Sequence, residues 1–202
     1  RTTIETGSGM LTLTNNVTFT PNGNGQAFFR GNLNLGSATR TFTVTDGTHA
    51  DDMFIHAAIS GGAGAGLTKL TAGSRLILTG NNSYDGITTL SGGYLRAQGH
   101  SNTLGRSTAT NAVALAAGTF LELAGASDLV FGRNTAVGGA AQITIDRETA
   151  GAGPTHSLGS LNLGAFTLTV TGGLNVTSGD IGLVFTGGVQ TGNATFSVNP
   201  AA

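Results

Sequence analysis

The sequence predicts an all-β fold, and three features lead to that expectation: alternating segments, frequent turn residues and internal repeats. Apolar and polar residues alternate with period two in short segments such as RTFTVT (40–45) and QITID (142–146). Residues that favour turns, chiefly Gly, Asn and Asp, separate these segments, as at Asp46-Gly47. We expect about eighteen short strands, with a hint of helix only over residues 112–117.

The composition narrows the class of protein. Charged residues make up 9% of the 202 residues, against about 25% in a typical globular protein, and 34 residues are Gly. The regular alternation of the 39% hydrophobic residues argues against disorder. A net charge of −1 predicts no basic surface for nucleic acid. The most apolar window, 112–126, contains Glu122 and is too short for a membrane span, so we predict no span.

Two all-β architectures fit the alternation. Gly172-Gly173 between two strands would suit the tight hairpin of an antiparallel β-sandwich. In a parallel β-helix (β-solenoid), by contrast, each strand bends into the next, and internal repeats are expected. Repeats are present: LNLG (33–36) recurs at 161–164, and NVTFTPN (16–22) resembles NATFSVN (193–199). They favour the β-helix and predict that 1–202 is one segment of a longer array, or that its ends meet neighbouring copies.

One stretch, GLTKLTAGSRLILTGNNSYDGITTLSGGYLRA (66–97), resembles the autotransporter-associated β-strand repeat, also called the passenger-associated transport repeat, of large exported bacterial proteins. The ordered matches are Gly66, Leu67, Thr68, Lys69, Gly73, Leu76, Leu78, Gly80, Asn82, Tyr84, Gly86, Thr88, Thr89, Gly93 and Leu95. Two departures stand out. Thr71 replaces the usual Gly, and GSRL (73–76) is one residue longer than the family spacing, which predicts a bulge or a wider corner.

The resemblance implies a right-handed parallel β-helix of roughly eight to ten coils, at about 20–25 residues a coil. Within the repeat we expect inward side chains at four positions, Leu76, Leu78, Ile87 and Leu95. Thr79 and Thr89 should face outward, and Asn81 and Asn82 should form corner ladders. Identical charges stacked about 5 Å apart would repel, which explains the sparse charge.

The resemblance also implies a function. We expect a non-enzymatic structural or adhesive segment, a stalk, of a secreted or cell-surface bacterial protein. The absence of cysteine suits such an exported chain. Neighbouring segments or further copies are the expected partners, with a surface glycan, or a host or matrix surface, as a second partner. One alternative is a self-assembling extracellular fibre, and another is a polysaccharide-active enzyme, which a groove with two close carboxylates would favour.

We predict no catalytic residue, metal or cofactor, although several residues resemble parts of such sites. Asp51-Asp52 resembles the adjacent aspartates of pectin-hydrolysing β-helix enzymes, but the basic Arg-x-Lys segment of that family is missing. A solvated turn is therefore expected there. His49 and His56 bracket this pair in a pattern that could hold a metal, yet alternation turns His56 outward with Phe54.

Four further candidates remain, two of them segments and two of them aromatic pairs. The glycines of 61–69 resemble a calcium-binding nonapeptide, but Gly66 stands where its Asp is required. Asp146-Arg147-Glu148 is the densest charge cluster, and we expect a paired loop. Phe28-Phe29 should point to opposite faces, one of them exposed. Tyr84 and Tyr94 are candidates for a carbohydrate-binding stripe, with packing expected for Tyr84.

Overall fold

The backbone forms short strands that wind round a common axis as a parallel β-solenoid. The computed structural model describes residues 1–107 and 112–199, and within these ranges it contains twenty strands and no helix. The search of these ranges for a helix able to cross a membrane found none. The strands are β1 (Thr2–Thr12), β2 (Val17–Phe19), β3 (Ala27–Asn34), β4 (Arg40–Val44), β5 (Met53–Ile55), β6 (Ala58–Ser60), β7 (Leu67–Leu70), β8 (Arg75–Leu78), β9 (Thr88–Leu90), β10 (Gly93–Gln98), β11 (Ala112–Leu115), β12 (Thr119–Gly125), β13 (Asn134–Val137), β14 (Ala141–Arg147), β15 (Gly151–Ala152), β16 (Thr155–Leu163), β17 (Thr167–Gly172), β18 (Val176–Ser178), β19 (Gly182–Gln190) and β20 (Thr195–Asn199).

Two long sheets contain most of the strands. The first sheet runs β1-β3-β5-β8-β10-β12-β14-β17-β20, with β6 also paired to β3, and the second runs β19-β16-β13-β11-β9-β7-β4-β2. Strands β15 and β18 form a small third sheet. The pairings between these strands are parallel. The antiparallel sandwich is therefore not favoured, and Gly172-Gly173 makes no hairpin between β17 and β18.

The solenoid has about seven turns, so the predicted eight to ten are not confirmed. Residues that pair on neighbouring coils are separated by 19 to 28 positions in the sequence. Leu76 and Leu95 show the shortest separation, and Leu168 and Phe196 the longest. Coils longer than the assumed length reduce the number of turns.

The sequence repeats do not mark equivalent positions in the coil. The LNLG motif lies in β3 of the first sheet at its first occurrence and in β16 of the second sheet at its second. Likewise, NVTFTPN contains β2 of the second sheet, whereas NATFSVN contains β20 of the first. The repeats therefore report a shared strand pattern and not the period of the winding.

Alternation fills the interior with aliphatic side chains. Leu76, Leu78 and Leu95 are fully buried in one continuous core, as predicted. The hint of helix at 112–117 is wrong, because β11 begins at Ala112 and buries every second side chain. Thr79 and Thr89 are half-buried on the outer faces, also as predicted.

Ile87 is the exception among the predicted inward residues, since 46% of it is exposed. Its neighbour Thr88 points inward instead and is fully buried. The Thr88 hydroxyl lies 2.7 Å from the hydroxyl of Tyr84 and donates to the carbonyl of Leu104 at 2.8 Å. These polar contacts determine which side chains of β9 point inward, and they leave Ile87 on the outside.

Asparagine side chains connect neighbouring coils at the corners. Asn81 makes the expected contact with another asparagine, whereas Asn82 bonds to backbone groups. Asn82 is 2% exposed; its Oδ1 accepts from the Ile59 amide at 2.8 Å, and its Nδ2 donates to the Thr103 carbonyl at 2.7 Å. Asn102 Nδ2 donates to Asn81 Oδ1 at 3.2 Å, which forms one step of a ladder. Each such bond satisfies polar groups that the winding would otherwise leave unpaired.

A second corner accommodates the departures from the family pattern. Thr71 has φ +95° and Gly73 has φ +81°, so the chain turns sharply through two left-handed residues. The buried Lys69 ammonium holds this corner by donating to the Thr71 carbonyl (2.6 Å), Ser74 Oγ (2.6 Å) and the Gly92 carbonyl (3.0 Å). Burial lowers the pKa of Lys69 to about 8, although Asp52 and Asp46 oppose the shift.

This pKa predicts an increase of stability at alkaline pH. Between about pH 8 and the unfolded value near 10.5, the unfolded chain binds a proton at Lys69 that the folded chain has released. We expect the free energy of unfolding in urea to rise by about 2 kcal/mol between pH 8 and pH 10 relative to Lys69→Met. No other lysine contributes. Parallel pH curves for wild type and Lys69→Met would contradict the prediction.

Candidate functional site

A groove of about 470 Å³ follows the outer face of the first sheet, across β8, β10, β12 and β14. The loop after β17 forms one wall. We call this concavity the outer groove and define it by Asp51, Arg75, Tyr94, Arg96, Gln98, Phe120, Glu122, Gln142, Thr144, Asp146, Leu174 and Asn175.

Strand alternation places these side chains on one face. On β10, Tyr94, Arg96 and Gln98 point outward, while Leu95 and Ala97 are fully buried. The parallel register sets Arg96 beside Glu122 of the next coil, and Glu122 beside Thr144 of the coil after that. Side chains far apart in sequence therefore meet.

Arg96 is the centre of the polar network. Its Nη1 donates to Glu122 Oε1 and to Asp146 Oδ2, the latter at 2.7 Å. Nε donates to Gln98 Oε1 at 2.9 Å, and Nη2 donates to the carbonyl of Arg147 at 2.9 Å. The Arg96 side chain is 12% exposed, and its guanidinium binds two carboxylates at once.

Arg75 extends the network toward the first coils. Its Nη1 lies 3.2 Å from Glu122 Oε2, and its Nε lies 3.7 Å from Asp51 Oδ1. The sequence of ion pairs Asp51–Arg75–Glu122–Arg96–Asp146 thus crosses several coils with alternating sign. Alternation of sign is the arrangement that stacked charges tolerate.

The two central carboxyl groups have pKa values shifted in opposite directions. Burial raises the pKa of Glu122, and nearby Asp146 adds to that rise against the effect of Arg96 and Arg75. Burial would also raise the pKa of Asp146, but hydrogen bonds, first from Arg96, outweigh it and lower that pKa. The backbone amide of Asn175 donates to Asp146 Oδ1 at 2.9 Å.

Two neighbouring carboxyl groups whose pKa values are shifted apart are typical of an active site in which one acts as a general acid and the other stays ionised. Here, however, both carboxylates are bound to guanidinium groups, and Asp146 is 1% exposed. Glu122 and Asp146 are two close carboxylates in a groove, which is the arrangement expected of a polysaccharide-active enzyme. Their oxygens are nevertheless occupied by internal partners, which favours a structural or binding role over proton transfer.

The structure separates the roles of Asp51 and Asp52. Asp51 lies at the edge of the outer groove, whereas Asp52 is 1% exposed. Asp52 Oδ1 accepts from the Gly47 amide and Oδ2 accepts from the Arg75 amide, both at 2.8 Å. The expected solvated turn is therefore wrong for Asp52, because its buried carboxylate accepts from backbone amides of two coils.

His49 and His56 do not meet. His49 Nε2 lies 3.0 Å from the carbonyl of Asn24, and His56 Nδ1 lies 2.8 Å from Thr79 Oγ1. His56 faces outward and stacks on Phe54 with ring centroids 5.7 Å apart, as the alternation predicted. Across residues 1–107 and 112–199, no group of three or more His, Asp or Glu side chains is placed to hold a metal.

The charge cluster at Asp146-Arg147-Glu148 is paired but does not form the predicted loop. Asp146 and Arg147 end strand β14. Arg147 Nη2 donates to the carbonyl of Ala126 at 2.8 Å, and Nη1 donates to that of Ala152 at 3.0 Å. The pattern continues as strand because the interior face of Ile143 and Ile145 extends to its end.

The aromatic candidates behave differently from one another. Tyr84 is fully buried, as predicted, and burial raises its pKa to about 12. Tyr94 reaches the outer groove, but Phe120 stacks on one ring face (centroids 4.5 Å apart) and the Arg75 guanidinium covers the other at 5.2 Å. Only the edge of Tyr94 remains open, so its ring faces offer no platform for a sugar.

Phe28 and Phe29 point to opposite faces, but neither is exposed. Phe29 belongs to the core at 7% exposure. Phe28 is 8% exposed, because it stacks on Phe54 with centroids 4.8 Å apart and because the guanidinium of Arg1 lies 5.5 Å from its ring. The expected exposed phenylalanine is therefore wrong.

Sequence reasoning missed the central network. Glu122 was noted only as a charge within an apolar window, and Arg96 was not singled out. Their one signal was that each lies between two aliphatic residues that point inward, Arg96 on β10 and Glu122 on β12. Comparison with family models, with curated proteins and with solved structures found no match for this chain. The resemblance of 66–97 to an autotransporter repeat stays a prediction.

The network predicts a large effect of Arg96→Met. The substitution leaves Glu122 and Asp146 without their shared cation, so we expect a loss of about 3 kcal/mol in the free energy of unfolding at pH 7. The lowered pKa of Asp146 supplies stability above its unfolded value near 4, and that stability is lost as pH falls through the folded value. The difference between wild type and variant should shrink toward pH 3.

Arg106→Met is the matched control. Its side chain is 60% exposed, and its Nη2 lies 3.5 Å from Asp85 Oδ2, so we expect a change below about 0.5 kcal/mol in the free energy of unfolding. Urea unfolding at pH 7 and pH 3 measures both variants. Equal effects of the two substitutions at pH 7 would show that the Arg96 network contributes no special stability.

Proposed function

We propose that this chain is a non-enzymatic structural segment of an exported bacterial surface protein. In this role the solenoid is a stiff stalk that presents its outer faces to the surroundings. The observation that carries the proposal is the continuity of the two parallel sheets from β1 to β20 round one core. A rod built from neighbouring coils has stability that grows with the number of coils.

Two further arguments support the cell-surface context and the handedness. The ordered resemblance of 66–97 to autotransporter-associated repeats supports export, and the absence of cysteine fits a chain that folds outside the cell without disulfides.

We propose a right-handed coil, because parallel strands joined by crossovers are right-handed in nearly all known cases. Folding coil by coil outside the membrane would oppose backward sliding of the chain.

An enzyme on the same fold is a weaker proposal. The Glu122–Asp146 pair is the observation in its favour. Against it, Arg96 and Arg75 occupy the oxygens of Glu122, and a general acid must be free to reach its substrate. We therefore assign the pair to the stability of the outer face.

A fibre subunit that stacks end to end is the second candidate function, and the distribution of exposed apolar residues favours it. In the described ranges, six large apolar side chains with 44–66% exposure lie on the edge strands β1, β19 and β20: Ile4, Met10, Val184, Val189, Phe196 and Val198. Exposed strand edges with apolar side chains pair readily with another coil. That coil would come from a neighbouring segment or from a second copy.

Electron micrographs of the purified chain across a concentration series test the two proposals. The stalk proposal predicts separate short rods at every concentration, about 35 Å long for about seven turns at roughly 4.8 Å each. Filaments that lengthen with concentration would favour the fibre subunit and overturn the stalk. A matched variant, Val189→Lys, places a charge on the edge of β19 and should abolish such filaments, whereas Val130→Lys, away from the edge strands, should not.

A further inference from the structure

We propose that the outer groove binds a neutral, hydroxyl-rich oligosaccharide. The proposal depends on the proposed function only in that the groove must face the outside of the cell. It gives the stalk a ligand-binding face of stated chemistry. The volume of about 470 Å³ is within the usual range for small-molecule sites and accommodates a few sugar units.

The groove is enriched in charged side chains. Of the 9 basic and 10 acidic residues of the chain, five line it: Arg75, Arg96, Asp51, Glu122 and Asp146. Charged and amide side chains held rigidly by one another are suited to directional hydrogen bonds with a ligand. The ion-pair network keeps Arg96 and Glu122 fixed before any ligand arrives.

Unused hydrogen-bonding capacity lies beside this network. Within the described part of the chain, Gln98 Nε2 has no partner, and neither has Gln142 Oε1, while Gln142 Nε2 donates to Thr144 Oγ1 at 3.1 Å. One free donor and one free acceptor thus line the same groove. Sugar hydroxyls both donate and accept, so they match such a mixed set.

The charge balance selects a neutral ligand. Two guanidinium groups face three carboxylates, and each guanidinium is already paired. An acidic polysaccharide would find no uncompensated positive charge in the groove and would meet the exposed carboxylate of Asp51. A neutral sugar avoids this repulsion.

The wall of the groove adds an apolar contact. Leu174 is 99% exposed, and its neighbour Asn175 fixes the loop by donating its amide to Asp146 Oδ1 at 2.9 Å. Gly173 permits the close approach, because a Cβ there would lie 2.2 Å from Asp146 Cγ. Leu174 can therefore pack against the apolar C–H surface of a sugar ring. Tyr94 cannot, because Phe120 and Arg75 cover its ring faces.

The experiment uses the purified 202-residue chain. An array of neutral and anionic glycans identifies ligands, and calorimetric titration with the best neutral oligosaccharide gives the affinity. Leu174→Ser and Gln142→Ala should each weaken binding at least tenfold. Val130→Ser is the matched control, because Val130 is an exposed aliphatic residue outside the groove, and we expect less than a twofold change. Circular dichroism confirms that each variant keeps its fold.

Three results would overturn the proposal: no neutral glycan bound, binding only of anionic glycans, or affinity unaffected by both groove substitutions. Mass spectrometry of the bound oligosaccharide separates this proposal from the function proposed above. Release of shorter sugars would contradict the non-enzymatic role and leave the binding site standing. If no glycan binds but micrographs show isolated rods, the glycan-binding proposal is wrong and the stalk proposal is unaffected.

Discussion

Hydrogen bonding of every coil to the coils above and below it is the constraint on which the rest of the structure depends. A spacing of roughly 4.8 Å brings backbone against backbone at the corners. A Cβ on Gly86 would lie 2.4 Å from the carbonyl of Ala65, and one on Gly80 would lie 2.1 Å from the Ala57 oxygen. Side chains are excluded at these points, which accounts for many of the 34 glycines.

The same spacing decides where charge is allowed. Every outward side chain stacks on that of the next coil, so like charges repel and most outer positions are small and polar. Charges persist where signs alternate, as along Arg75, Glu122 and Arg96, or where backbone groups solvate them, as at Lys69. The low overall charge and the concentrated outer groove are therefore two results of one constraint.

Alternation was enough to predict the all-β class and the inward direction of Leu76 and Leu95, because strand sterics act locally. It failed at Ile87, where hydroxyl contacts of Thr88 set the phase. The outer groove could not be predicted from the local sequence pattern. Arg96 and Glu122 are 26 residues apart, and they meet only because of the lengths of the intervening corners, which vary from coil to coil.

Disulfide trapping tests the stacked register most directly, since the chain has no cysteine of its own. Ala136 and Asn162 are partners on neighbouring coils of the second sheet, on its outer face. We predict rapid oxidation of the Ala136→Cys, Asn162→Cys double variant, because paired strands place Cα atoms within disulfide range. Ala136→Cys with Ser160→Cys, two residues out of register, should oxidise far more slowly. Equal rates for the two pairs, or no disulfide in either, would contradict the parallel stack.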